Sequence, residues 1–273
     1  MHNKVTQQQI DEFIRLFDND TDAAIQALRV HAQQSMGTCS LLPSNSKETI
    51  GKVLISAKEL TKEYKIAHQK VVAINGVTLN IREGEFVAIV APSGGGKSTL
   101  LQLLGGLDKP TSGSITVDGI NLNSLSDHKL SQFRGQTIGF IFQFFYLQPF
   151  LNLERNLEVP GMFARTKHQK RQTRAQELAE TVGIADRLKH FPKELSGGQI
   201  QRAAIVRALL NNPKVILADE PTGNLDSKNG LAIIDLFEKI RDEFGTTIVV
   251  ATHDQSVASR ADRIISLKDG VVL

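Results

Sequence analysis

Tryptophan is absent from this chain of 273 residues, tyrosine occurs twice and cysteine once. With Cys39 alone no internal disulfide can form, so the fold needs no oxidising compartment. Long hydrophobic runs are missing as well. The longest apolar stretches, residues 86–91 and 138–142, fall far short of the roughly 20 residues a membrane helix requires. The polar opening Met1-His2-Asn3-Lys4 lacks the pattern of a secretory signal. Nor is there a large charge of one sign. Lys+Arg 32 against Asp+Glu 29 leaves +3, which argues against a nucleic-acid coat and leaves room only for a local basic patch. What is present is 41% hydrophobic and 22% charged residues, the balance of a globular protein with a core. The expectation is a cytosol-facing chain of one large or two small domains that does not itself cross a membrane.

The first fifty residues read differently from the rest. Ile10, Phe13, Ile14 and Phe17 form an apolar helical stripe, with Thr6 and Gln9 as a capping box before it. A second helix is expected over about 22–33, and residues 36–47 concentrate Gly, Pro and Ser as linkers do. A helical appendage is preferred here to a separate binding module. From Val53 the pattern turns to strands, at residues 53–56, 71–73, 77–81 and 86–90, with Asn75-Gly76 and Glu83-Gly84 as turn signals. Residues 215–218 and 247–251 are short apolar runs that suit parallel strands buried on both faces. Helical stretches at 98–104, 199–211 and 232–244 alternate with them, which argues for an α/β fold with a mostly parallel sheet. Residues 151–194 lack strand runs and read as a helical insertion.

The segment Ala91-Pro92-Ser93-Gly94-Gly95-Gly96-Lys97-Ser98-Thr99 joins a strand to a helix and has the form of a phosphate-binding loop. Glycines let backbone N–H groups turn inward around phosphate oxygens, and a helix N-terminus adds its positive end. Lys97 supplies a point charge for β- and γ-phosphates, and the Ser98 hydroxyl suits Mg²⁺. Ala91 replaces the usual leading glycine, which a negative φ would tolerate. A second element is the apolar run 215–218 ending in Asp219-Glu220. Adjacent strand residues face opposite ways, so an ordinary core strand would waste one acid. Beside a phosphate loop the roles separate: Asp219 for Mg²⁺ and Glu220 to polarise the attacking water. Leu195-Ser196-Gly197-Gly198-Gln199 opens a helix and offers further donors to an anion.

Phosphate loop, Leu-Ser-Gly-Gly-Gln pentapeptide, acid pair and Thr252-His253-Asp254, in that order, resemble the ATP-binding subunit of the ATP-binding cassette (ABC) transporter superfamily over about residues 53–273. The resemblance implies a P-loop NTPase fold with a small antiparallel β subdomain added to the parallel core. It implies that Gln143 helps hold Mg²⁺ and faces a membrane partner, that His253 contacts the γ-phosphate, and that Tyr64 stacks on adenine. It also implies that the loop containing Asn224-Leu225-Asp226 crosses to an opposing subunit, so that Ser196, Gly197, Gly198, Gln199 and Asp226 join the ATP site. Residues 105–113 and 218–226 resemble the branch that contains macrolide exporters and the lipoprotein-release and cell-division ATPases. Arg155 stands where that branch usually has Glu, and Ile200 and Ala203 depart from the usual signature helix.

The expected organisation is an extension over 1–50 and an ATP-binding domain over 51–273, with its helical subdomain at about 144–200. The expected activity is Mg²⁺-dependent ATP hydrolysis powering a separate transmembrane permease, at the cytoplasmic face of the inner membrane and paired with a second copy or a related ATPase subunit. A soluble or signalling ATPase of the same family is the alternative. No nucleic-acid partner is expected: the basic run over 167–174 has no interleaved aromatic residue and reads as a solvated helix face.

Overall fold

In the computed structural model, residues 51–66 and 69–273 are described; the helices and linker expected within 1–50 lie outside them. Two sheets form, and burial shows why. In the second half of β2 (Gln69–Arg82), Val77, Leu79 and Ile81 are buried while Thr78, Asn80 and Arg82 are exposed, the period-2 pattern of a sheet covered on one face. Strand β2 pairs antiparallel with β1 (Val53–Ile66), and β4 (Ser112–Val117) and β5 (Ile120–Asn121) complete a four-stranded sheet in the order β2-β1-β4-β5. By contrast β3 (Phe86–Val90), β7 (Val215–Asp219) and β8 (Thr247–Thr252) are buried almost throughout, as parallel strands covered on both faces are. With β6 (Ile138–Ile141), β9 (Arg263–Lys268) and β10 (Val271–Val272) they form a six-stranded sheet in the order β10-β9-β3-β8-β7-β6, parallel except for β10.

Asn75-Gly76 does not end a strand as the sequence suggests. It lies inside β2, where the pairing to β1 shifts between Leu60↔Val77 and Lys62↔Ile74, and Gly76 takes φ 64°. Glycine serves a bulge as readily as a turn, and β1 continues as a partner on both sides. Glu83-Gly84 is the turn that ends β2.

Seven helices follow or cross the sheets in the described residues: α1 (Lys97–Leu104), α2 (Asp127–Thr137), α3 (Leu153–Phe163), α4 (His168–Thr181), α5 (Gly197–Leu209), α6 (Ser227–Phe244) and α7 (Gln255–Ala258). The segment 151–194 holds α3, α4 and two 3-10 turns without a strand. The parallel sheet separates two cores by simple alternation. Val215, Leu217, Val249 and Ala251 pack with α1 and the antiparallel sheet, whereas Ile216, Ala218, Ile248 and Val250 pack with α3 to α6. Strands β3, β8, β7 and β6 all end at one edge, where parallel α/β sheets bind ligands.

Candidate functional site

The loop between β3 and α1 is shaped by its glycines. Gly94 and Gly96 take φ 77° and 94°, conformations that L side chains rarely adopt. A methyl on Gly95 would meet the Ala91 methyl at 2.8 Å, so the alanine that replaces the usual leading glycine makes Gly95 obligatory. Ala91 itself has no positive φ, as its tolerance requires. Pro92, Ser93 and Gly94 are exposed and form the rim, while Thr99 is half-buried in the first turn of α1. Lys97 runs beneath the rim. Its buried ammonium donates to the carbonyls of Ala91 (2.8 Å) and Pro92 (3.2 Å) and lies 3.8 Å from the Glu220 carboxylate.

The acid pair stands beside it. Asp219 is the last residue of β7, and its carboxylate accepts the Ser98 hydroxyl at 3.0 Å. Burial raises the Asp219 carboxyl above its usual range, the Ser98 hydrogen bond opposes that, and the Glu220 charge adds to it. Glu220 adopts φ 45°, an uncommon conformation for a non-glycine residue. That left-handed step breaks strand alternation at the point where both acids are needed. Its N–H still donates to the Ala251 carbonyl at 2.8 Å, so the step is pinned to β8. The Glu220 carboxylate meets His253 Nδ1 at 2.9 Å, and the Thr252 hydroxyl donates to it at 3.5 Å. With the carboxylate accepting, Nδ1 carries the proton and Nε2 is free to face outward.

Other sequence candidates fall in several places. Tyr64 lies on β1 beside Thr99; its hydroxyl donates to Asp108 at 2.8 Å. Gln143 is exposed after β6. Its carbonyl accepts the Asn224 amide at 2.8 Å, and no hydrogen bond among the described residues joins its side chain to Ser98 or Asp219. Ser196 and Gln199 cap α5 reciprocally: the Ser196 N–H donates to Gln199 Oε1 (2.9 Å) and the Gln199 N–H to Ser196 Oγ (3.3 Å). Gly197 and Gly198 pack toward Leu225 and Asn229. Asp226 caps α6, accepting the N–H of Asn229 at 2.8 Å. These residues contact one another across the starts of α5 and α6 and make no hydrogen bond to the phosphate loop. The basic run is only partly a solvated face. Arg171 pairs with buried Glu158 at 2.6 Å, and Arg174 donates to Asn212 at 2.7 Å.

Several structural partners carry no sequence motif. Asn156, buried in α3, accepts the Gln148 N–H (2.7 Å) and donates to the carbonyls of Gln148, Leu151 and Asn152. Arg207, on α5, donates to the carbonyls of Phe145 and Tyr146 at 2.6 and 2.7 Å. Together they clamp a loop after Gln143 whose Phe144, Tyr146 and Phe150 side chains are largely exposed. Apolar clusters held outward in this way mark contact surfaces. The aromatic composition of 142–150 was the available signal.

Among the described residues no group of three or more His, Cys, Asp or Glu is clustered as a self-sufficient metal cage. Mg²⁺ at phosphate sites needs only one or two protein oxygens beside those of the substrate. The Ser98–Asp219 pair, two hard oxygen donors 3.0 Å apart with the carboxylate's negative charge disfavoured by burial and so eased by a cation, fits it.

Known proteins fit the same geometry. The family model described as "ABC transporter" matches residues 74–223. An uncharacterized ABC transporter ATP-binding protein of Methanocaldococcus jannaschii, MJ0796, is 48% identical over 223 residues, 80% of this chain and 95% of that one. The macrolide export ATP-binding/permease protein MacB of Shigella flexneri is 44% identical over 220 residues, 81% of this chain but 34% of its own length. The solved dimer of the MJ0796 cassette in a post-hydrolysis state with ADP and Pi superposes with a TM-score of 0.75 at 47% identity, covering 80% of this chain and 96% of that one.

Proposed function

The chain belongs to the ABC transporter family, and from that premise we propose that it is the ATP-binding, ATP-hydrolysing subunit that powers a separate transmembrane permease. Glu220 carries the reading: one carboxylate stands 3.8 Å from the loop lysine and 2.9 Å from His253, next to the Ser98–Asp219 pair. ATP is the substrate. The N–H groups of Gly94 to Thr99 and the N-terminus of α1 surround its β- and γ-phosphates, and Lys97 balances their charge. Glu220 accepts a hydrogen bond from a water in line with the γ-phosphorus and takes its proton as the new P–O bond forms and the bond to the ADP oxygen breaks. His253, with Nδ1 engaged by Glu220, offers Nε2 to the γ-phosphate. Ser98, Asp219 and Gln143 would hold Mg²⁺, which when bound neutralises charge on the phosphate oxygens. Tyr64 stacks on the adenine.

Residues 51–273 constitute the ATP-binding domain, 144–200 its helical subdomain and 1–50 an extension. Ser196, Gly197, Gly198, Gln199 and Asp226 complete the ATP site of a second copy or a related ATPase subunit. Their hydrogen bonds go to the starts of their own helices and none to the phosphate loop of their own chain, which supports this. The clamped aromatic loop beside Gln143 supports a membrane partner there, and no described helix is long and apolar enough to cross a membrane. The working place is then the cytoplasmic face of the inner membrane. Glu220→Gln tests the core of the reading. The variant should bind ATP as wild type does while turnover falls about 10²–10⁴-fold, measured as phosphate release. Wild-type turnover would remove Glu220 from its role.

A further inference from the structure

Strand geometry puts residues 62 and 64 of β1 on one face, and what they do there is specific. The Lys62 ammonium donates to Asp108 Oδ1 at 2.6 Å and to the Lys109 carbonyl at 2.7 Å. The Tyr64 hydroxyl donates to the other oxygen of the same carboxylate, Oδ2, at 2.8 Å. The same ammonium sits 4.9 Å from the centroid of the Tyr64 ring. Asp108 is itself fixed, accepting the Lys109 N–H at 2.7 Å just beyond the C-terminal end of α1. The tyrosine therefore meets the phosphate-loop helix at Thr99 in its first turn and the segment that follows the helix at Asp108.

We infer that Lys62 and Asp108 are positioning residues that hold the Tyr64 ring as a preset platform for the base of ATP. The inference deepens the proposed stacking role of Tyr64 and rests on it. A tyrosine on a strand would otherwise exchange rotamers, and ordering it would cost affinity when the base arrives. Here the hydroxyl is tethered at one end and a cation lies over one ring face, so the proposed base stacks on the other face. The tether is of the strong, charge-assisted kind. Burial and the neighbouring Asp108 carboxylate hold the Tyr64 hydroxyl above the ordinary phenol range, so it is protonated and donating at neutral pH. Burial pushes Asp108 upward, but hydrogen bonds from Lys62, Tyr64 and the Lys109 N–H outweigh it and keep the carboxylate charged.

The test compares binding of ATP with binding of inorganic tripolyphosphate to the full-length chain, by titration calorimetry. Tyr64→Ala should weaken ATP about five- to hundredfold and leave tripolyphosphate unchanged. Tyr64→Phe and Asp108→Ala should each weaken ATP about three- to tenfold, again without effect on tripolyphosphate. The double variant should be no weaker than the weaker single, because both remove one tether. Asp108→Asn, which keeps an acceptor for the hydroxyl, should recover most of the loss and covers the case in which Asp108→Ala does not fold. Additive losses in the double variant, wild-type affinity in Tyr64→Phe, or equal losses of ATP and tripolyphosphate in Asp108→Ala overturn the inference. If Tyr64→Ala weakens ATP while Tyr64→Phe and Asp108→Ala do not, only the positioning fails. If Tyr64→Ala binds ATP fully, the stacking role fails and takes the positioning with it.

Discussion

Lys97 reaches Ala91, Pro92 and Glu220 with one ammonium, so its charge is held beneath the loop before any ligand has to be considered. Lys97→Ala removes a charge-assisted contact to phosphate, worth about 1.5–3 kcal/mol. ATP affinity should therefore drop by about ten- to a hundredfold, measured by titration calorimetry. Unchanged affinity would contradict the phosphate-loop assignment. The variant differs in kind from Glu220→Gln, which should spare binding and slow chemistry. Lys97, Ser98, Asp219 and Glu220 were legible as residue types in the sequence. The left-handed turn that lets Asp219 and Glu220 serve one site was not, because only the pairing of the Glu220 N–H with Ala251 fixes it. Asp108 and Lys62 were invisible for a simpler reason: 46 residues separate them, and nothing local marks an acid that will meet a strand lysine.

At the level of elements, the segment from β6 to α3 shows how a buried polar side chain holds an exposed loop. Asn156 is 1% exposed and satisfies four backbone groups of residues 148–152. Asn156→Ala would leave the Gln148 N–H and the Leu151 carbonyl to find water, while the Gln148 and Asn152 carbonyls keep the backbone N–H groups of residues 151 and 156, at a cost of about 1–3 kcal/mol. Urea unfolding should show that loss, and amide exchange at Gln148 should accelerate beyond the global change. A stable variant with an unchanged loop would mean that Arg207 alone holds it. Gly139 of β6 shows how tightly this region is built, since a methyl there would lie 2.6 Å from the Ala208 carbonyl of α5. Periodicity indicated these helices and strands well. It misjudged Asn75-Gly76, whose dipeptide serves a turn and a bulge equally until the partner strand is known.

For the whole molecule, the single phosphate loop and the single Ser-Gly-Gly start of α5 do not meet within one chain's hydrogen bonds. On the proposed function, exposed Ser196 contacts ATP held by another subunit, with ATP acting as the link. Glu220→Gln should then dimerise on Mg-ATP, seen as a doubled mass in light scattering. Adding Ser196→Arg puts a bulky cation at that contact and should abolish the dimer while sparing ATP binding to the monomer. If Ser196→Arg loses monomer binding as Lys97→Ala does, the signature acts within its own chain instead.

By itself the sequence determined the family, the buried strands and helices that flank the phosphate loop and the acid pair, and the residue types proposed to handle phosphate, water and metal. These are local properties: glycine spacing, a Lys-Ser pair at a helix start, and apolar runs of strand length. The sequence did not mark the strands at 112–117, 120–121, 263–268 and 271–272 or the helix at 127–137. Tertiary structure alone decided which strands are neighbours, and with that everything that depends on proximity. It put β3, β8, β7 and β6 side by side, so that Ala91, His253, Glu220 and Gln143 line one edge although 162 positions separate Ala91 from His253. It also decided that a strand lysine and a post-helix aspartate hold one tyrosine. Hydrogen bonds and ion pairs between distant residues follow from chain closure, which no local pattern encodes.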